Sequence, residues 1–418
     1  MVAVLTHARF AMISRKERHI EMRAQNQFRD PPALIARDTH KTILAGIREL
    51  APEIKARAAE IEAERRIPPD LVDRLKSIGL FRMFVPKSHG GLEVALPAGL
   101  EVISALARID GSVGWTAIVA SAAGIFVTLA QHETYNRIYR NGPDVALCGS
   151  ALPAGTAEPV AEGWRINGRW PLASGCMHAE WIAGFCLVTA EGKPVAGPHG
   201  RPQVRGVVLP AQDWEIEDSW HAAGLKGTGS HHIVLRDVVV AEANLFDLEG
   251  SVPCVPGPLY PAVRHLLPLF HGAFSAGMAE GALDDLVALA RTGRQQYQAA
   301  TPMQESEVFQ LELGRTYADL RAAQAFLQAQ VASHWNHALA GTLNDEALLV
   351  EGMQASTWIA STCVRVADAC FALAGSSAVY DTSPLQRRLR DLHVAGQHAH
   401  VQQRQYVAGG RLLLGRVA

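Results

Sequence analysis

Between Ser383 and His400 the chain gathers Arg387, Arg388, Arg390, Asp391, His393, His398 and His400 beside an apolar, Ala-rich stretch. Charge at that density next to core-forming sequence implies either a solvated helix end or a site. A histidine working as general base near neutral pH is the natural chemistry, since small environmental shifts move its proton exchange into a useful range. Facing water or capping helix carbonyls is the plain alternative for each ring. A metal centre is not expected. His398 and His400 lie five and seven residues after His393, spacings that do not stack imidazoles on one helical face as three or four do, and no Cys or carboxylate pair nearby completes a ligand set.

Glycines supply a second pattern. Gly224, Gly227 and Gly229 read G-x-x-G-x-G, but the run leads into strand-forming sequence at His232–Val240. A dinucleotide fingerprint needs a strand before it and a helix N-terminus after it to hold the pyrophosphate, so a Rossmann domain is not predicted. No Walker motif, G-x-S-x-G elbow or H-E-x-x-H is present. The six cysteines, at 148, 176, 186, 254, 363 and 370, contain no C-x-x-C pair. Reduced, buried thiols in a cytoplasmic protein are the expectation.

Three blocks of sequence must position these groups. Residues 32–147 read as helical: Leu44, Ile47, Leu50, Ile54 and Ala58 recur at steps of three and four. Pro68-Pro69-Asp70 opens a further helix that Gly79 closes, and Ala95–Ala107 and Ser112–Leu129 predict two buried helices. In residues 148–250 the character changes. Asn167-Gly168 lies between strand formers in Trp164–Trp170, a hairpin signal, and β runs follow at Trp181–Val188, Gly206–Leu209 and His232–Val240. These predict an antiparallel β-barrel domain. Residues 251–418 begin with a Pro/Gly connector and predict a four-helix bundle, with small-residue faces such as Ala273, Ala276, Gly277 and Gly281. Residues 1–31 predict a disordered or extended tail. The fold class is α+β.

Bulk composition narrows the function classes. With 418 residues, 48% hydrophobic and 19% charged, the chain is globular and rather apolar, which favours an oligomer. A formal net charge of −2 offers no footprint for nucleic acid or an anionic membrane. Residues 1–30 lack the apolar core of a secretory signal, and no run is expected to reach the ~18 apolar residues of a membrane span.

Leu80–Lys87 with Gly90-Gly91-Leu92-Glu93, Arg294-Gln295-Gln296-Tyr297, and Leu385-Gln386-Arg387 with Arg390-Asp391 resemble segments of the acyl-CoA dehydrogenase superfold, in the correct order over roughly residues 40–415. Arg108–Trp115 resembles a helix of its oxygenase branch. The more specific stretches are Ser150–Gly155, Gly168–Gly175, Trp220–Ser230 and His393–His398. They are similar to the oxygenase components of two-component flavin monooxygenases, the group holding p-hydroxyphenylacetate, chlorophenol and secosteroid phenol hydroxylases and the dibenzothiophene oxygenase. One position separates the branches. Many dehydrogenases carry a catalytic glutamate eight residues after the aspartate of the Arg-Asp pair; here that residue is Ala399, preceded by His398 where the oxygenases hold a histidine. An acyl-CoA dehydrogenase with bound FAD is the alternative.

The resemblance implies a cycle. Reduced FMN or FAD, supplied by a separate NAD(P)H:flavin reductase, would meet O2, and a C4a-hydroperoxyflavin would hydroxylate an aromatic or heteroaromatic substrate. It assigns His398 to the substrate or the peroxide, with His400 as second candidate. Ser174, with Trp170 and Gly175 beside it, would meet the flavin N5–O4 edge, and Ser150 the pyrimidine edge. The loop carrying Thr228 and Ser230 would line the mouth, its glycines letting main chain approach closely. Arg264 and Arg294 are candidates for the flavin phosphate. Each hydroxyl could instead be a turn residue, and either arginine a solvated helix end. Phenol hydroxylases of this group tend to carry a histidine within the helix that here reads Ser121–Phe126; its absence implies a bulkier substrate. A homotetramer is the implied assembly.

Overall fold

Apolar periodicity builds the first helices. In α1 (Thr39–Ala56), Ile43, Ile47, Leu50 and Ile54 turn onto one face and none is more than 2% exposed. The computed structural model describes residues 39–197, 200–248, 250–261 and 263–415, so the tail expected over residues 1–31 lies outside the described residues. After α2 (Ala58–Glu64), Pro69 opens α3 (Pro69–Ser77), and Gly79 follows its end at φ +87°, as the punctuation predicts. α4 (Leu96–Ile109) and α5 (Gly111–Phe126) are separated by Asp110 alone. Its carboxylate accepts hydrogen bonds from the Ser112 and Val113 amides at 2.9 and 3.1 Å and caps α5. α6 (His132–Ile138) completes the block. The expectation that no stretch reaches spanning length is corrected: Gly111–Leu129 and Glu346–Ala378 pass by length and composition, with 78% and 44% of those windows buried inside the fold.

The sheet departs from expectation in three ways. β1 (Leu147–Val160), β2 (Gly163–Ala173), β3 (Trp181–Ala190), β4 (Lys193–Pro194), β5 (Val204–Pro210), β6 (Glu215–Glu217), β7 (His231–Val240) and β8 (Leu245–Asp247) follow in the chain. Their order is β6-β7-β2-β1-β3-β5-β8, with β4 on β3. Among the described residues the sheet is therefore open and not a closed barrel, since its ends, β6 and β8, are three-residue strands that do not pair with each other. It is also mixed: β1 and β3 run parallel, because the chain crosses back after β2 has paired with β7 on the far side. Finally, β2 runs unbroken through Asn167-Gly168, and the hairpin turn falls between the register partners Val160 and Gly163.

Asn167 and Gly168 serve other ends. A Cβ at Gly168 would lie 2.5 Å from the Trp170 ring and 2.6 Å from the Gly155 Cα, so the missing side chain lets strand and indole close up. The Asn167 carboxamide donates to the Asp237 carboxylate at 2.8 Å and accepts the Asp237 amide at 2.7 Å, bridging an irregularity in the β2–β7 ladder.

Five helices follow: α7 (Val263–Arg291), α8 (Glu307–Leu339), α9 (Glu346–Ala374), α10 (Pro384–Ala395) and α11 (Gln405–Leu413). The small-residue face of α7 packs backbone-close on α4. A Cβ at Gly277 would stand 2.2 Å from the Ser104 carbonyl oxygen, and one at Gly281 2.5 Å from that of Arg108. The charges of α10 bind elements together. Buried Arg388 donates to the carbonyls of Ala107, Arg108 and Ile109 at 3.1, 2.7 and 3.2 Å, capping α4, and pairs with Asp285 at 3.1 Å. Arg390 pairs with Glu62 at 2.9 Å and Asp391 accepts the Leu225 amide at 2.6 Å. The first half of the charged run is thus framework.

Candidate active site

Where β2 ends, the backbone turns and buries Ser174 at 4% exposure. The Trp115 indole on α5 donates Nε1–H to the Ser174 hydroxyl at 3.1 Å. Ser174 Oγ lies 2.6 Å from Ser230 Oγ, which lies 2.6 Å from Thr228 Oγ1, and Thr228 donates to the Leu225 carbonyl at 2.8 Å. Thr228 and Ser230 are buried, at 1% and 4% exposure. Gly175, at φ +83°, joins this network by donating its amide to the Thr228 carbonyl at 2.8 Å. The loop is held from behind by Asp391, and Gly224 there lies so close to the Arg390 carbonyl that a Cβ would meet it at 2.4 Å.

The other side of the same indole meets histidines. The rings of Trp115 and His398 pack edge-on at 5.6 Å, those of Trp115 and His271 at 5.5 Å, and Phe274 closes the group at 5.2 Å. His398 stands at the start of the short 3₁₀ turn Ala399–Val401, and its Nδ1 accepts the His400 amide at 3.3 Å. Burial drives its pKa down to about 2, reinforced by His271 and His400. The ring is therefore neutral. With Nδ1 engaged by that amide, Nε2 carries the proton and is placed to donate. His271, on α7, donates Nε2–H to the Ala395 carbonyl at 3.0 Å and accepts from Ser275 Oγ at 3.3 Å. Burial brings it to about 4 and lowers His400 as well.

The remaining candidates scatter. Ser150 is buried on β1, at the residue where the β1–β3 register shifts. Trp170 does not front the site: it is 0% exposed, its N–H donates to the Phe185 carbonyl at 2.6 Å, and its ring packs on Trp214 in the core of the sheet. His400 sits behind His398, ring centroids 4.8 Å apart, and His393 turns away to Asp368 at 2.8 Å. Arg264 is exposed near the start of α7, its charge felt by His400. Arg294 lies just past the other end of α7 and reaches Ser376 at 3.4 Å. Some thirty residues at about 1.5 Å each put these arginines roughly 40 Å apart, so one chain cannot bring both to a single phosphate. Among the described residues no three His, Cys, Asp or Glu side chains converge as metal ligands. A groove of about 820 Å³ between α1, α4, α7 and α8 is lined by none of the site residues.

Nothing in the sequence by itself marks Trp115, His271 and Ser275 as site residues. Trp115 lay in a recognised stretch, but nothing local reveals an indole serving two elements at once. A histidine and a serine four residues apart in an apolar helix were the only trace of the other two.

Two descriptions match the chain: "Acyl-CoA dehydrogenase, N-terminal domain" over residues 37–136, and "Acyl-CoA dehydrogenase, C-terminal domain" over residues 269–403. Among relatives, an indole-3-acetate monooxygenase of Pseudomonas putida is 32% identical over 92% of this chain and 95% of its own length. The oxygenase component of p-hydroxyphenylacetate 3-hydroxylase from Acinetobacter baumannii is 28% identical, covering 86% of this chain and 85% of that protein. Among solved structures, the HsaA monooxygenase from M. tuberculosis superposes with TM-score 0.82 at 26% identity, over 90% of this chain and 98% of that one. With the dehydrogenase glutamate position occupied by Ala399, these likenesses agree: the chain belongs to the flavin-dependent monooxygenases of acyl-CoA dehydrogenase fold, as an oxygenase component of the two-component kind.

Proposed function

We propose that this oxygenase component takes reduced FMN or FAD from a separate NAD(P)H:flavin reductase and uses O2 to hydroxylate a fused-ring aromatic or heteroaromatic substrate. The observation that carries the reading is the Trp115 indole, bonded to Ser174 at 3.1 Å on one side and packed against His398 at 5.6 Å on the other. The residues fit a flat ring system. Leu152 and Leu172 are 56% and 59% exposed, and they flank the buried Ser150 and Ser174 hydroxyls in sequence. Leu172 holds φ +64°, a left-handed backbone that a leucine adopts only when its surroundings impose it. Bound there, reduced flavin supplies the electrons that activate dioxygen.

The chain's own residues then have separable tasks. Ser174 holds the proton at the flavin N5 edge, and Ser150 serves the pyrimidine edge. His398 presents Nε2–H to the reacting oxygen or to a substrate heteroatom, and the surrounding rings exclude water. Val119, Ala122 and Phe126 continue along α5 from Trp115 at helical spacing and are half-buried or buried only in part, an apolar wall without a polar group for a small phenol. An indole-like bicycle suits it, in keeping with the P. putida relative's name.

A homotetramer is the proposed assembly, supported by apolar side chains left outside on the bundle: Leu311, Tyr317 and Phe326 on α8, and Val407 and Leu413 on α11. A cytoplasmic setting accords with six free thiols, five of them buried. Ala399, at the position of the dehydrogenase glutamate, carries no acid–base group, which weighs against thioester dehydrogenation. The test is anaerobic loading with chemically reduced FMN or FAD, then ¹⁸O2 and an indole carboxylate. One ¹⁸O atom should enter the product, and His398→Ala should abolish it while flavin still binds. Reduction of an artificial acceptor by an acyl thioester, without oxygen uptake, would overturn the reading.

A further inference from the structure

We infer that Thr228 and Ser230 are positioning residues that make the site select flavin by redox state, favouring the reduced form and expelling the oxidised one. This deepens the reading above and rests on it. The argument is a count of protons. Three hydroxyl protons, on Ser174, Ser230 and Thr228, serve three short oxygen–oxygen contacts: 2.6 Å, 2.6 Å and 2.8 Å. The last contact ends on the Leu225 carbonyl, which can only accept, so Thr228 must donate there. Ser230 must then donate to Thr228, and Ser174 to Ser230. At the head of the chain the Trp115 indole can only donate, so it occupies one lone pair of Ser174.

Every hydroxyl in the chain points its proton the same way, and successive bonds polarise one another. Ser174 is left with one lone pair and no proton to offer. Reduced flavin carries a hydrogen on N5 and can donate to that lone pair. Oxidised flavin carries a bare N5 lone pair, which would face another lone pair. A ligand shifts an equilibrium only by its differential affinity, and here the differential is built into the direction of a hydrogen-bond chain. Product flavin therefore leaves the same pocket that retained the reduced form.

Anaerobic titrations with dithionite-reduced and with oxidised FMN and FAD, followed by fluorescence, test this. The parent protein should bind the reduced form more tightly. Ser230→Ala frees the Ser174 proton to donate to oxidised N5, and Thr228→Val does so by letting Ser230 donate back to Ser174. Each should shrink the reduced-to-oxidised preference about fivefold to tenfold, chiefly by tightening oxidised flavin. Ser230→Thr keeps a hydroxyl and should keep the preference. So should Trp115→Phe, which leaves the direction of the chain intact. An unchanged preference in Ser230→Ala and Thr228→Val, or equal weakening of both forms, would overturn the inference while leaving the proposed function standing. Failure of the parent protein to bind either flavin in either state would overturn both.

Discussion

At the scale of single residues, His398 is unusual in being held away from charge. Its folded pKa is driven to about 2, and that of His271 to about 4, mainly by burial, against about 6.5 for an exposed ring. Both folded values lie below the unfolded one. The stability these rings contribute is present above pH 6.5 and is lost as pH falls through the acid range toward those values. We therefore expect hydrogen exchange of the amides around Ala395–Val401, corrected for intrinsic rate, to be faster at pH 5 than at pH 7. For the same reason turnover should show no limb near pH 6.5 that disappears in His398→Gln. A limb of that kind would mean the ring titrates in the working enzyme and acts as a base after all.

Single elements owe their shape to close approach more than to turn chemistry. β2 stays straight where Asn-Gly would ordinarily bend it, because the Trp170 ring occupies the space that any side chain at Gly155 or Gly168 would need. Gly168→Ala should destabilise the protein by about 1–3 kcal/mol, the range for overpacking a filled core, without new turn strain. Denaturant melts would check this. A cost of only a few tenths of a kcal/mol would show that the indole moves freely. Pairing of Asn167 with Asp237 explains why the other half of the dipeptide also sits within a strand.

For the molecule as a whole, the decisive joint is Asp391, which ties the Leu225–Ser230 loop of the sheet region to α10 of the bundle. Burial, with Asp110 and Glu62 nearby, raises its carboxyl to about 7, from an ordinary value near 4. A raised acid binds more protons folded than unfolded between about pH 4 and 7, so stability falls as pH rises through that window. Asp391→Asn retains an acceptor for the Leu225 amide and carries no charge. It should be more stable than the parent protein at pH 8, by up to a few kcal/mol, and match it near pH 4. Thermal melts at the two pH values decide it; a lower melting point at pH 8 would show that the ionised carboxylate is required.

Much of this was open to reading from the residues. Period-3.6 apolar spacing in α1, the Pro and Gly punctuation of α3 and the small-residue face of α7 are local signals, and each acts through its own neighbours in the chain. The clustered His398 and His400 and the hydroxyls at 174, 228 and 230 stood out by type and by resemblance. Contacts made across the fold were not legible. That Trp115 lies between Ser174 and His398, 59 residues from the one in sequence and far from the other, follows from how α5 lies between sheet and bundle. Whether the sheet closes depends on its two outermost strands, and which tautomer His398 adopts depends on a backbone amide placed by a 3₁₀ turn. Residue types determine which chemistry is available, but proton direction and protonation state are properties of neighbours that only packing brings together.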